Sequence, residues 1–226
     1  MPNDTPPLPL RERNKQLARD LVLDAAERLL QASPSAEFSM RALATEAGVG
    51  FATPFNHFGC KNAIMQALSS RVIERMAERF REQRPQGDAI ERVLAMGRIS
   101  VGVLLEKPDV SKAVVGSLGV ASPSPSTVRL QSEALWSLAL GDLTALSPNV
   151  PIPVRAVLPQ QLAFNFRGCV SFWIAGELTD EMLEQAFQTG ALTVLLGFAN
   201  PARQARMIAQ MVPLPALSEQ TSRGRS

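Results

Sequence analysis

Apolar side chains along this chain return at three- and four-residue steps almost throughout, and no stretch alternates with period two, so the pattern predicts helices and no strands. A first helix is expected from about Lys15 to Gln31, with Ala18, Val22, Ala25 and Leu29 on one face, closed by the Ser-Pro-Ser at 33–35. Met40, Leu43, Ala44 and Ala47 then recur at i, i+3, i+4 and i+7, with Ser39 placed as the N-cap and Gly48 as the left-handed exit. A second short helix follows, because Phe55 and Phe58 require burial while Thr53, Asn56 and His57 supply polar groups. Two short helices joined by a glycine turn form a helix-turn-helix, the pair that reads DNA.

From Lys61 a long helix carries Ile64, Leu68, Val72, Met76 and Phe80 as far as Pro85. Beyond Gly87 the pattern predicts helices over about 88–105, 109–120, 125–146, 155–175 and 179–199, with a short one after Pro201 reaching Met211. The breaks fall at Pro108, at the Ser-Pro-Ser-Pro-Ser of 122–126, at 147–153 and at Gly176. The fold class is therefore all-α. Residues 1–14, with four prolines in the first ten, are expected to be a disordered lead, and 213–226 a disordered tail.

Two of the later helices carry stripes of small residues: Gly168, Ser171 and Ala175 on one, Ala186, Gly190, Thr193 and Gly197 on the other. Small stripes admit close helix approach, either inside one protomer or in a two-fold bundle between two. The dimer reading is preferred, because a helix-turn-helix head independently asks for two-fold symmetry.

Composition sharpens what the chain does not do. With 46% hydrophobic residues in 226 it has material for a substantial core, and its net charge of +2 creates no general basic field. Arg11, Arg13, Lys15 and Arg19 cluster ahead of the first helix, as a DNA-contacting arm or a frayed end. The two cysteines, Cys60 and Cys169, form no disulfide framework or zinc motif and fit a reducing cytoplasm. The N-terminus lacks a signal peptide's charged start and apolar core, and no apolar run approaches the roughly 20 residues of a membrane span. One histidine, His57, sits inside the expected recognition helix, so no nucleophile–base pair is evident, and His57 with Cys60 is two ligands short of a metal site. No phosphate-binding glycine loop occurs, and Glu177, Asp180, Glu181 and Glu184 flank a helix start where they suit its dipole. An enzyme, a cofactor and a metal are thus all unexpected.

Over roughly residues 17–68 the chain resembles the N-terminal domain of the tetracycline-repressor (TetR) family of bacterial transcription regulators. The resemblance rests on the Ala-Ala-Glu-Arg-Leu-Leu of 25–30, Ser39 with Leu43-Ala44, Ala47-Gly48-Val49, and Asn56-His57-Phe58 followed by Lys61. It departs at Phe55, where the family carries Tyr and a phosphate contact, at Pro54, and at Cys60 and Asn62. The resemblance implies a three-helix DNA-binding domain over 15–62 and a helical effector-binding and dimerisation domain over 63–212. It further implies a homodimeric repressor on a palindromic operator in double-stranded DNA, released by a small molecule. Ser39, Thr53, His57 and Lys61 are the phosphate candidates, and Gly50, Phe51, Ala52 and Asn56 are placed to face bases, with Phe55 beside them. Phe51 either meets a thymine methyl or packs on a neighbouring helix. For the effector the sequence offers only Met76, Met96, Arg98, Trp136, Phe166 and Trp173, and the scarcity of charge there points to an apolar ligand. An activator, a regulator without effector, and a helical ligand carrier or enzyme with a vestigial head remain alternatives. Pro54 is expected to start the recognition helix with Thr53 as its N-cap.

Overall fold

A computed structural model of the chain describes residues 9–33, 37–119, 126–144, 146 and 150–214. Among them are ten α-helices and one 3-10 turn: α1 (Leu10–Ala32), α2 (Met40–Glu46), α3 (Ala52–Phe58), α4 (Lys61–Gln83), α5 (Ala89–Leu105), α6 (Pro108–Gly116), the 3-10 turn Ser117–Gly119, α7 (Val128–Leu140), α8 (Ile152–Ile174), α9 (Asp180–Leu196) and α10 (Pro201–Gln210). The only β pairing among the described residues is a single bridge between Leu146 and Ala199.

Several element ends differ from the sequence pattern for identifiable reasons. α1 begins at Leu10, five residues before Lys15, with Pro9 at its boundary; Arg11, Arg13 and Lys15 therefore ride on an exposed helical turn, and the expected disordered lead does not extend through residue 14. α7 stops at Leu140 instead of 146, because Gly141 adopts φ +57° and turns the chain. α8 starts at Ile152 and carries Pro153 in its first turn and Pro159 in its interior. The Ser-Pro-Ser-Pro-Ser break, apart from Ser126, lies outside the described residues, as do 215–226.

The chain divides into two compact units: residues 1–71 with 107–126, and residues 72–106 with 127–226. The division thus runs through α4 at Arg71, beyond the boundary at 62 read from sequence, and assigns α6 to the first unit. That unit's core joins Val22, Leu23, Ala25, Ala26 and Leu30 of α1, Leu43 of α2, Phe58 of α3, Ile64 and Leu68 of α4, and Val110 and Val114 of α6. Arg71 fastens α4 to α1, with Asp24 at 2.6 Å and Asp20 at 2.8 Å. Burial opposes the charge of this guanidinium, but its bonds to the two carboxylates outweigh that and hold its pKa above the ordinary value.

In the second unit α5, α7, α8 and α9 enclose the core. α5 opens with a capping box, in which Asp88 accepts from the Glu91 amide and the Glu91 carboxylate accepts from the Asp88 amide. Arg203 of α10 pairs with Asp88 at 3.1 Å and Glu91 at 2.9 Å, so the Asp88 amide and the Arg203 guanidinium together hold the Glu91 carboxyl below its usual range. Gly97 lies where the Phe187 ring crosses α5, and a Cβ there would stand 2.1 Å from the ring. Gly97→Ala should therefore cost about 1–3 kcal/mol through overpacking, read as a lower denaturant midpoint at unchanged slope. An unchanged midpoint would mean that the ring gives way without cost.

Candidate nucleic-acid interface

The candidate interface is built on two seven-residue helices and the turn between them. Ser39 caps α2, its hydroxyl accepting from the Ala42 amide at 3.1 Å, and Leu43 and Ala44 bury the inner face. Gly48 adopts φ +65°, the left-handed exit that its position requires. α3 then starts at Ala52 with Phe51 as boundary residue and no side-chain cap. Thr53 is accordingly not the N-cap. Pro54 is tolerated as the third helical residue because the first-turn amides have no partner within the helix, so nothing is lost when Pro supplies none.

A second correction concerns which phenylalanine is buried. Pro54 and Phe58, one turn apart, form the inner face of α3, while Phe55 is 39% exposed. Phe55 stacks edge-on against Phe51, itself 56% exposed, with ring centroids 5.4 Å apart. Gly50, Phe51, Ala52, Phe55 and Asn56 are all exposed, and four of them form a continuous face at i, i+1, i+4 and i+5. Phe51 finds its neighbour in Phe55 on the same face, and the pair together offers solvent an apolar patch at the start of the recognition helix. Large exposed aromatics of this kind mark contact sites when they are grouped.

Around this face the polar candidates divide. Lys61 is the first residue of α4, its Nζ 4.8 Å from the centre of the Phe38 ring, which steadies the side chain at the edge of the head. His57 is half-buried, and its carbonyl accepts from Arg19 at 3.4 Å. Arg19 also lies 4.3 Å over the Phe58 ring, so this member of the basic cluster secures α3 from behind, whereas Arg11, Arg13 and Lys15 are exposed. Sequence reasoning missed the Arg71 clamp, although Asp20, Asp24 and Glu27 on one face of α1 signalled a basic partner.

The other candidates lie in the second unit and do not form one site. Met76, Met96, Trp136, Phe166 and Trp173 are buried core residues, while Arg98 is mostly exposed and faces Glu184 at 3.4 Å. Trp136, Phe166 and Phe187 form an aromatic cluster with centroids 4.8–5.5 Å apart. Trp173 stands apart from it, its Nε1 donating to Asp180 at 2.7 Å. Along the outer side of α8 and α9 runs a groove of about 500 Å³, lined by Phe164, Gly168, Cys169, Phe172, Met182 and Ala186 among others. Ser171, Ala175, Thr193 and Gly197 are exposed. Gly190 is accounted for differently: a Cβ there would meet the Asn165 side chain of the same protomer at 2.1 Å, so its smallness serves the α8–α9 crossing. Among the described residues no three His, Cys, Asp or Glu side chains group as metal ligands, and no helix is long and apolar enough to cross a membrane.

A capped helix, a left-handed glycine turn and a second helix with an exposed apolar-polar face, all on one small core, define a helix-turn-helix DNA-binding regulator. Residues 22–68 match the family profile described as bacterial regulatory proteins, tetR family. Over 147 residues the chain is 26% identical to an uncharacterised HTH-type transcriptional regulator of Mycobacterium tuberculosis, covering 65% of this chain and 71% of that one. Its fold is shared with a TetR transcriptional regulator from Rhodococcus sp. RHA1, at TM-score 0.67 and 20% identity over 80% of this chain and 97% of that one. A tetR-family regulator from Streptomyces coelicolor superposes at TM-score 0.55 and 16% identity over 92% and 96%. Over residues 22–68 the chain is thus similar to the DNA-binding domain of the TetR family of transcriptional regulators.

The capping assignment makes two opposed predictions for one domain. Ser39→Ala should cost about 0.5–2 kcal/mol of stability, because the Ala42 amide loses its acceptor. Thr53→Ala should stay within about 0.5 kcal/mol of wild type, as Thr53 caps nothing. Urea unfolding of both variants checks the pair, and equal costs would contradict the geometry.

Proposed function

We propose that the protein is a homodimeric repressor that binds a palindromic operator through α3 and is released by a small, largely apolar effector bound in its second unit. The observation that carries the DNA half is the exposed face of Gly50, Phe51, Ala52, Phe55 and Asn56 on a helix whose inner face is locked into the core. The aromatic pair is suited to thymine methyls and Asn56 to a base edge, while Lys61, Ser39, Thr53 and His57 serve the flanking phosphates. The cytoplasm is where such a reader meets its DNA.

Two-fold operators need two heads, and the second unit supplies the surface to join them. Phe164 is 48% and Phe172 53% exposed on α8, on either side of Gly168, and both border the groove with Ala186 of α9. Two such faces, packed across a two-fold axis, bury these rings and bring Gly168, Ser171, Ala175, Ala186, Thr193 and Gly197 into the contact.

The test of the DNA reading is a gel shift on DNA from the region upstream of the protein's own gene, repeated over a salt series. Specific binding that falls steeply with salt is expected, and equal affinity for random duplex would overturn it. Lys61→Ala should weaken binding to every sequence and lower the slope of log affinity against log salt by about one. A loss confined to the operator would make Lys61 a base reader instead. For the dimer, Phe172→Glu should give folded monomers in sedimentation and cost operator binding about 2 kcal/mol or more. A folded variant that remains dimeric would exclude this face.

A further inference from the structure

We propose that residues 211–214, past the end of α10, are part of the surface by which the protein pairs with a second copy of itself, with Leu214 as a side wall of the contact. This rests on the reading above that α8 and α9 form the dimer face. A chain end beyond its last helix ordinarily has nothing to hold it, and from Pro213 onward the sequence reads as a tail. The structure fastens the start of that tail across α9. Gln185 Nε2 donates to the Val212 carbonyl at 3.2 Å and to the Pro213 carbonyl at 3.3 Å. Thr189, one turn further along α9, donates its hydroxyl to the same Val212 carbonyl at 3.1 Å.

This anchor delivers one apolar side chain to one place. Leu214 lines the groove that Phe164, Gly168, Phe172 and Ala186 also border. Proline has a fixed φ and confines the residue before it to extended backbone, so Leu214, between Pro213 and Pro215 in the sequence, has little freedom left to lose when a partner packs on it.

The segment is not a lid over its own protomer. With it in place the Phe164 and Phe172 rings remain about half exposed, and it adds Val212 at 52% and Leu214 at 37% exposure to the apolar surface. Apolar side chains grouped in this way mark a contact with another macromolecule. Gly168 points the same way, because a Cβ added there would meet nothing within 4 Å, whereas at Gly190 it would strike Asn165. The protomer's own packing therefore gives no reason for the bare backbone at Gly168, and the space over it is open to a partner. A second copy suits the face because a two-fold contact sets the same patch against itself. Among the described residues the groove's lining carries one charged side chain, Glu177, so two such faces meet as apolar surfaces. The two-fold axis then brings in Leu214 twice, once from each chain.

Sedimentation equilibrium of the full chain tests the contact. Leu214→Ser should weaken the dimer roughly 10-fold, the loss expected when one leucine is no longer buried. Gln185→Ala combined with Thr189→Ala frees the segment while leaving the apolar lining intact, and should weaken the dimer by a similar factor. Thr189→Ser keeps the donor and should match wild type. None of these positions is buried, so the circular dichroism of each variant should equal that of the wild type. A dimer of unchanged strength in Leu214→Ser or in the double variant would overturn the proposal. A tighter dimer would overturn it too, by making the segment a shield over the face. Failure of the broader reading looks different: a wild-type chain that is monomeric at every concentration removes the dimer itself. A wild-type dimer broken by Phe172→Glu and indifferent to Leu214→Ser removes only this contact.

Discussion

Everything the head can do depends on burying one side of a seven-residue helix. α3 has no side-chain cap, and a helix of two turns has no stability of its own in water. Pro54 and Phe58 supply its attachment, and Arg19, lying across the Phe58 ring and donating to the His57 carbonyl, closes the seat from α1. With those positions turned inward, helical geometry leaves Phe51, Ala52, Phe55 and Asn56 no direction but outward. The exposed face of α3 is thus a consequence of core packing.

The supporting core is wider than the three helices that define the motif. Val110 and Val114 of α6 complete it, and Arg71 ties α4 to α1 by two close ion pairs. The chain that leaves α5 at Leu105 therefore re-enters the head directly, through Pro108 at the start of α6. Both α4 and the α5–α6 connection carry covalent continuity between the units, and the effector proposed above would have these two routes to the head. A ligand acts along them only to the extent that it binds the two arrangements with different affinity.

Much of this was legible in the sequence because the signals were local. Ser39, Gly48 and the four-residue steps from Ile64 to Phe80 identified caps and core faces, and the structure has them in those roles, with Val72 only half-buried. Pattern alone misplaced Phe55, because hydrophobicity does not say which of two adjacent residues faces inward once Pro54 is available to fill the core. It also misread Thr53, since a proline is as acceptable at the third helical position as at the first. The role of Gly190 was out of reach, because it depends on which helix crosses which. Small residues in a stripe announce a close approach without naming the partner.

A hydroxyl-radical footprint on the bound upstream DNA tests the central claim most directly, because it reads the symmetry and the groove of the contact together. Two protected patches related by a dyad, with their centres about one helical turn or a whole multiple of it apart, are the predicted result. A single unsymmetrical patch, or uniform protection along the duplex, would contradict a two-fold reader built on α3.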